Sequence, residues 1–178
     1  MTDKQLLTHL NSLNITYGFY DNTRKKIITP EDKEFSTPGY IDKNCRILFP
    51  IEVEKYKCGT CLDISLYTYY KLKNDCKYQV SNVCMVYVDT QKPSFKSHTT
   101  ILYQKLSKMW YWFEYSWESH RGIHGSTVLF KNMFKKFTDA WSNENGVITN
   151  KNTNVNADYL LKQKTITTKL FLASCMTK

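Results

Sequence analysis

Apolar positions along the chain follow two periods, and the switches between them outline the elements. Leu6, Leu7, Leu10 and Leu13 recur at helical spacing behind Thr2 and Asp3, either of which can cap, so an amphipathic helix is expected over 3–13. Residues 15–21 read as extended. Residues 22–44 are polar and carry Pro30, Pro38 and Gly39, the marks of a loop or flap. A short apolar approach at 46–50 ends on its proline. From about 60 to 73 the spacing is helical again, through Ile64, Leu66, Tyr69, Tyr70 and Leu72. Residues 77–89 alternate and are rich in Val and Tyr, which predicts a strand, with a turn at 90–94. Two more strands follow at 98–103 and 109–115, joined by a polar turn around Leu106, Ser107 and Lys108. Residues 117–125 are irregular. Val128, Phe130, Met133, Phe134, Phe137 and Trp141 restore helical spacing over 127–141. An Asn/Thr/Gly-rich loop at 143–156 and a last strand at 165–172 complete the outline. Strands that follow one another, without alternating helices, predict an α+β fold with an antiparallel sheet. No repeat or linker divides the chain, so residues 1–178 form one domain.

Composition narrows the function classes. The 178 residues are 42% hydrophobic and 15% aromatic with 13 tyrosines, which is globular and not disordered. The formal net charge of +9 comes from scattered lysines, and the longest basic run is Arg24-Lys25-Lys26, so nucleic acid is not the expected partner. No stretch has the length of a membrane span, and Met1 to Gln5 do not open a leader, so a cytoplasmic chain with no membrane partner is expected. Its six cysteines are then expected as reduced thiols.

Chemistry concentrates at three positions. Cys61 follows Gly59 and Thr60 where a helix begins, and unpaired N–H groups with the positive end of the helix dipole favour a thiolate there. Those conditions lower a thiol's pKa and make it a nucleophile. His98 opens a strand and Glu114 ends the next one. In an antiparallel hairpin, facing residues have numbers of constant sum; a turn centred on Leu106 sets that sum at 212 and His98 opposite Glu114. A carboxylate beside the imidazole would orient the ring and stabilise its protonated form. The helix of Cys61 would then pack over that same face.

These residues resemble a family. Gly59-Thr60-Cys61-Leu62-Asp63, Ser97-His98-Thr99 and the run Tyr111 to Trp117 around Glu114 are similar to the transglutaminase-like superfamily. Its members carry a Gly-x-Cys at a helix start, a His opening one strand and an acid ending the next. The intervals here, 37 residues from Cys61 to His98 and 16 from His98 to Glu114, fit that pattern. Small bacterial members also show a Tyr-Gly segment, as at Tyr17-Gly18, and an Arg-Gly-Ile-His, as at Arg121 to His124. The resemblance spans roughly 15–135. Leu62 and Glu114 depart from it, since those positions are more often aromatic and Asp. It implies a papain/transglutaminase-like core, with the catalytic helix packed on an antiparallel sheet. It also implies a Cys61–His98–Glu114 triad acting through an acyl-thioester on a peptide or protein substrate. The product would be a hydrolysed amide or a transferred acyl group, with no cofactor and no metal. No side chain before Cys61 declares itself an oxyanion donor; the Cys61 N–H is the generic candidate.

Other readings stay open. Cys58 and Cys61 form a CxxC, which a thiol-disulfide oxidoreductase uses at a helix start, although the βαβ context is missing. A zinc site would draw on Cys76, Cys84, His120 or His124. A binding protein on the same body is the alternative of another class. Trp112 and Trp117 are candidate walls of the cleft, and Arg121 and His124 candidate ligands for an acidic group. The segments 22–44 and 143–156 are candidate gates.

Overall fold

The computed structural model describes residues 1–90 and 96–176, the last three of these in backbone only. In chain order the elements are α1 (Asp3–Ser12), β1 (Thr16–Tyr17), β2 (Phe19–Asp21), β3 (Lys26–Ile28), α2 (Lys33–Ser36), α3 (Tyr40–Asn44), α4 (Pro50–Tyr56), β4 (Cys58–Gly59) and α5 (Cys61–Asn74). Then come β5 (Val80–Thr90), β6 (Ser97–Lys105), β7 (Trp110–Glu114), β8 (Gly122–Thr127), α6 (Phe130–Asn145), β9 (Ile148–Val155), α7 (Ala157–Leu161) and α8 (Thr168–Met176). The fold is α+β. Five antiparallel strands lie in the order β8-β7-β6-β5-β9, with β6 at the centre.

Strand alternation divides the core in two. Met85, Tyr87, Ile101, Tyr103 and Phe113 pack against α5 and its neighbours, including Leu6 and Leu10 of α1. Val86, Val88, Leu102, Trp110 and Trp112 pack against Met133, Phe134, Phe137 and Trp141 of α6. Both faces are therefore covered. Asp3 ties α1 to the sheet, where its buried carboxylate accepts from the Tyr103 hydroxyl at 2.5 Å and meets Lys105 at 2.7 Å. A parallel pairing of β1 with β4 sets Tyr17 opposite Gly59, just before the α5 start. Gly18, between β1 and β2, lets β3 approach: a Cβ there would lie 2.5 Å from the Ile28 carbonyl oxygen.

Several expectations are corrected. The β6–β7 register pairs Ile101 with Phe113, so the hairpin sum is 214 and Glu114 falls opposite Thr100. Because the slip is two, His98 and Glu114 still share a face. That face is the α6 face; α5 packs on the other one. The 165–172 stretch is not a strand. Only Ile166 bridges to Ile47, and then Thr167 caps α8 by accepting the Leu170 N–H at 3.1 Å. The 143–156 loop contains β9, because the outer edge of β5 takes a partner there; Gly146, at φ 95°, ends α6 and lets the chain return. Short elements β3, α2 and α3 lie within 22–44, and β8 starts in the stretch read as irregular and runs on to Thr127, so that α6 begins only at Phe130. Of the expected turn at 90–94, only Thr90 falls among the described residues. No helix among those residues is long and apolar enough to cross a membrane.

Candidate active site

Helix α5 starts where its capping chemistry demands. Thr60 is extended at φ −83°, ψ 179°, and the carboxylate of Asp63 accepts from the Thr60 N–H at 2.7 Å and hydroxyl at 2.6 Å. The other Asp63 oxygen accepts the Leu48 N–H at 2.5 Å, which fastens residues 46–49 to the helix start. Cys61 thereby becomes the first helical residue, itself only partly exposed.

His98 is the second residue of β6 and points to the α6 face, while Thr99 points to the α5 face. The thiol meets both at the end of the central strand. Thr99 Oγ1 lies 3.5 Å from Cys61 Sγ, and the His98 imidazole is near enough for its charge to act on the thiol. His98 Nε2 lies 2.8 Å from Glu114 Oε2. That leaves Nδ1 for the thiol. Glu114, 1% exposed, turns its other oxygen toward the N–H groups of Tyr115, Ser116 and Trp117, at 2.9, 2.9 and 3.0 Å. The chain curls around the carboxylate as β7 ends.

The electrostatics follow from this arrangement. Burial alone would push the Cys61 thiol up, but the hydrogen bond and charge of His98 bring it below the ordinary thiol value. Burial would push His98 down, yet the Glu114 charge and the Cys61 hydrogen bond hold it well above an ordinary imidazole. Glu114 is likewise held low, against its burial, by His98. Together they favour a thiolate–imidazolium pair backed by a carboxylate. The His98 ring is stacked on Trp141 at 4.6 Å and 10°, and met edge-on by Trp117 at 5.8 Å, so water has little access to it.

Tyr17 is the residue that sequence reasoning did not assign. It lies beside Cys61, and the thiolate charge pushes the phenol's pKa up. It thus stays a proton donor beside the thiol. The Tyr17-Gly18 pair was the only signal for it, because the contact is made by the β1–β4 pairing.

A cleft of about 680 Å³ opens over Cys61, His98 and Thr99. Trp117 lines it; Trp112, Arg121 and His124 are not among its lining residues. Trp112 is 1% exposed beneath the site, where its Nε1 donates to Thr100 Oγ1 at 2.9 Å. His124 stacks on that indole at 4.2 Å. Arg121 Nε donates to the Tyr115 carbonyl at 2.9 Å and fixes the turn after Glu114. In this structure their side chains support the turn and sheet around Glu114, outside the cleft lining. Of the two candidate gates, Phe35 from the first lines the cleft with Glu144 and Asn145 from the second stretch.

The CxxC does not present two accessible thiols. Cys58 is fully buried, and burial pushes its thiol up to about 12, the reverse of what an attacking cysteine requires. No group of three or more His, Cys, Asp or Glu among the described residues is placed to hold a metal ion. Compared with known proteins, the chain matches no family model, no curated protein and no solved structure.

Proposed function

We propose that the protein is a cysteine-dependent acyl hydrolase or acyltransferase, built on a transglutaminase-like core and acting on an amide of a peptide or protein. The observation that carries this reading is the chain of contacts Cys61–His98–Glu114, with the thiol held low, the imidazole high and the carboxylate low. The Cys61 sulfur attacks the carbonyl carbon, forming the S–C bond, and the carbonyl oxygen takes up the negative charge. The Cys61 N–H, in the first turn of α5, and the Tyr17 hydroxyl are the groups beside the thiol that can receive that charge. As the intermediate collapses, the C–N bond breaks and His98 gives its proton to the departing amine. Water or a second amine then attacks the thioester and passes its proton to His98, and the thiolate leaves.

The test is the iodoacetamide alkylation rate of each cysteine against pH, read by mass spectrometry on wild type and His98→Ala. Cys61 is expected to react fast well below pH 8 and to lose that advantage in the variant. Cys45 and Cys84, whose thiols burial pushes up to about 11, are expected to lag. A Cys61 no faster than Cys45 or Cys76 would overturn the reading and leave a binding protein.

A further inference from the structure

The two ends of the cleft differ in chemistry, and the direction of the reaction says which end holds which part of the substrate. His98 must reach the departing amine, so the leaving group lies toward Trp117 and Trp141, which flank the imidazole, and Glu144, which accepts from Trp117 Nε1 at 2.9 Å. The oxyanion lies toward Tyr17 and the Cys61 N–H. The rest of the wall is mixed: Lys96, Ser97, Asn145 and Thr168 are its polar part, and its apolar part, which we assign to the acyl group, is made by Phe19, Phe35, Ile47, Leu62, Phe171 and Leu172.

These six side chains come from distant segments. Phe19 and Phe35 pack on each other at 5.5 Å, the bridge between Ile47 and Ile166 joins residues 46–49 to the approach to α8, and Phe171 packs edge-on against Tyr87 at 5.5 Å. Phe19, Phe35 and Leu62 are only partly buried, and Leu172 is 45% exposed. Large apolar side chains left open to solvent around one mouth, beside a reactive thiol, are the makings of a ligand site and not of a solvated surface. A carboxamide or carboxylate side chain would lose its hydration against such walls, whereas an aromatic or branched aliphatic one gains by leaving water.

We infer, resting on the acyl-transfer reading above, that this cleft takes acyl donors carrying a bulky apolar side chain next to the scissile carbonyl. The chemical class is the amide of an aromatic or branched aliphatic amino acid. Phe19, Phe35, Leu62 and Leu172 form the mouth of this subsite, while Ile47 and Phe171 form its floor. Helix α8 is therefore part of the specificity apparatus.

N-acetyl amino acid chloromethyl ketones test this directly, because Cys61 sulfur displaces chloride as the S–C bond forms and the C–Cl bond breaks. The rate of the Cys61 mass shift is measured for the Phe, Leu, Ala, Gln and Asp reagents, with iodoacetamide as a reference that carries no side chain. The Phe and Leu reagents are expected to react at least about tenfold faster than the Ala, Gln and Asp reagents. In Leu172→Asp and in Phe35→Ser, both at positions open to solvent, that ratio is expected to fall toward one. Equal rates across the series, or a preference for Gln or Asp while iodoacetamide still labels Cys61 rapidly, would overturn this inference alone. A Cys61 inert to iodoacetamide as well would overturn the acyl-transfer reading with it.

Discussion

Two buried carboxylates flank Cys61, and they behave in opposite ways. Glu114, on the strand side, and Asp63, on the helix side, are 1% and 2% exposed, and each accepts several hydrogen bonds. Burial pushes Asp63 above the ordinary carboxyl value, and its donors, all neutral, only reduce the rise. Glu114 ends below its ordinary value because His98 adds an opposite charge to a comparable set of neutral donors. Hydrogen bonds offset desolvation; a facing charge reverses it. In the proposed mechanism the strand side therefore supplies the proton chemistry, while the helix side holds the thiol in place.

The largest expected effect comes from removing the charge on the strand side. Glu114→Gln keeps the shape but takes the counter-charge from His98, and turnover is expected to fall by about a hundredfold to ten-thousandfold. The pH profile supplies the sharper readout. In the wild type, activity is expected to rise as pH passes the lowered Cys61 pKa and to fall only as it passes the raised His98 pKa. In the variant the His98 value drops toward its ordinary 6.5, so the alkaline limb moves to lower pH. The raised His98 also stabilises the wild-type fold, fully below about pH 6.5 and less as pH climbs through the folded value. Glu114→Gln removes that slope, which denaturant titrations across pH would detect. An unmoved alkaline limb would mean that the two carboxylates do not differ in the way argued.

On the helix side, Tyr17→Phe keeps the ring and removes the hydroxyl. A drop of about tenfold to a thousandfold in kcat with KM little changed is expected, since the donor acts on charge that develops during reaction. Tyr17 is 41% exposed, so the fold tolerates the change. Asp63→Asn has a smaller and different signature. It leaves one of three donors unpaired and is expected to cost about 1–3 kcal/mol of stability. Because the folded Asp63 pKa is raised above 3.8, its contribution is most favourable at acid pH and declines as pH rises through the folded value. The variant lacks that decline, so its deficit shrinks as pH rises, and chemical denaturation at pH 4 and pH 8 would read it. The smallest effect is expected for Trp141→Phe. Trp141 Nε1 is buried with no hydrogen-bond partner among the described residues, so the change removes an unsatisfied donor and is expected to move stability by no more than about 1 kcal/mol.

Much of this was legible in the sequence, for local reasons. Gly59-Thr60-Cys61 with Asp63 specifies a capped helix start, and the Val- and Tyr-rich alternation of β5 and the aromatic run of β7 specify strands. His98 and Glu114 share a face because side chains alternate with period two, so even a turn misplaced by one residue kept them together. Residues 165–172 misled because Thr-Ile-Thr-Thr favours a strand, while Thr167 used its hydroxyl to cap a helix that the Leu-Phe-Leu-Ala run could sustain. The edge strand β9 was hidden because Asn and Thr carry little hydrophobic signal, and its pairing depended on the open edge of β5.

The sequence alone therefore determined the antiparallel hairpin that carries His98 and Glu114, and the helix start that holds Cys61, the three residues proposed to react. Tertiary structure decided that α5 lies on the opposite face from His98, so that thiol and imidazole meet around the end of β6. It also brought Tyr17 to the thiol through the β1–β4 pairing, moved Trp112, Arg121 and His124 out of the cleft, and built an apolar wall from Phe19, Phe35 and α8. Propensity and period act over a few residues, whereas these contacts join positions tens of residues apart and exist only once both faces of the sheet are covered.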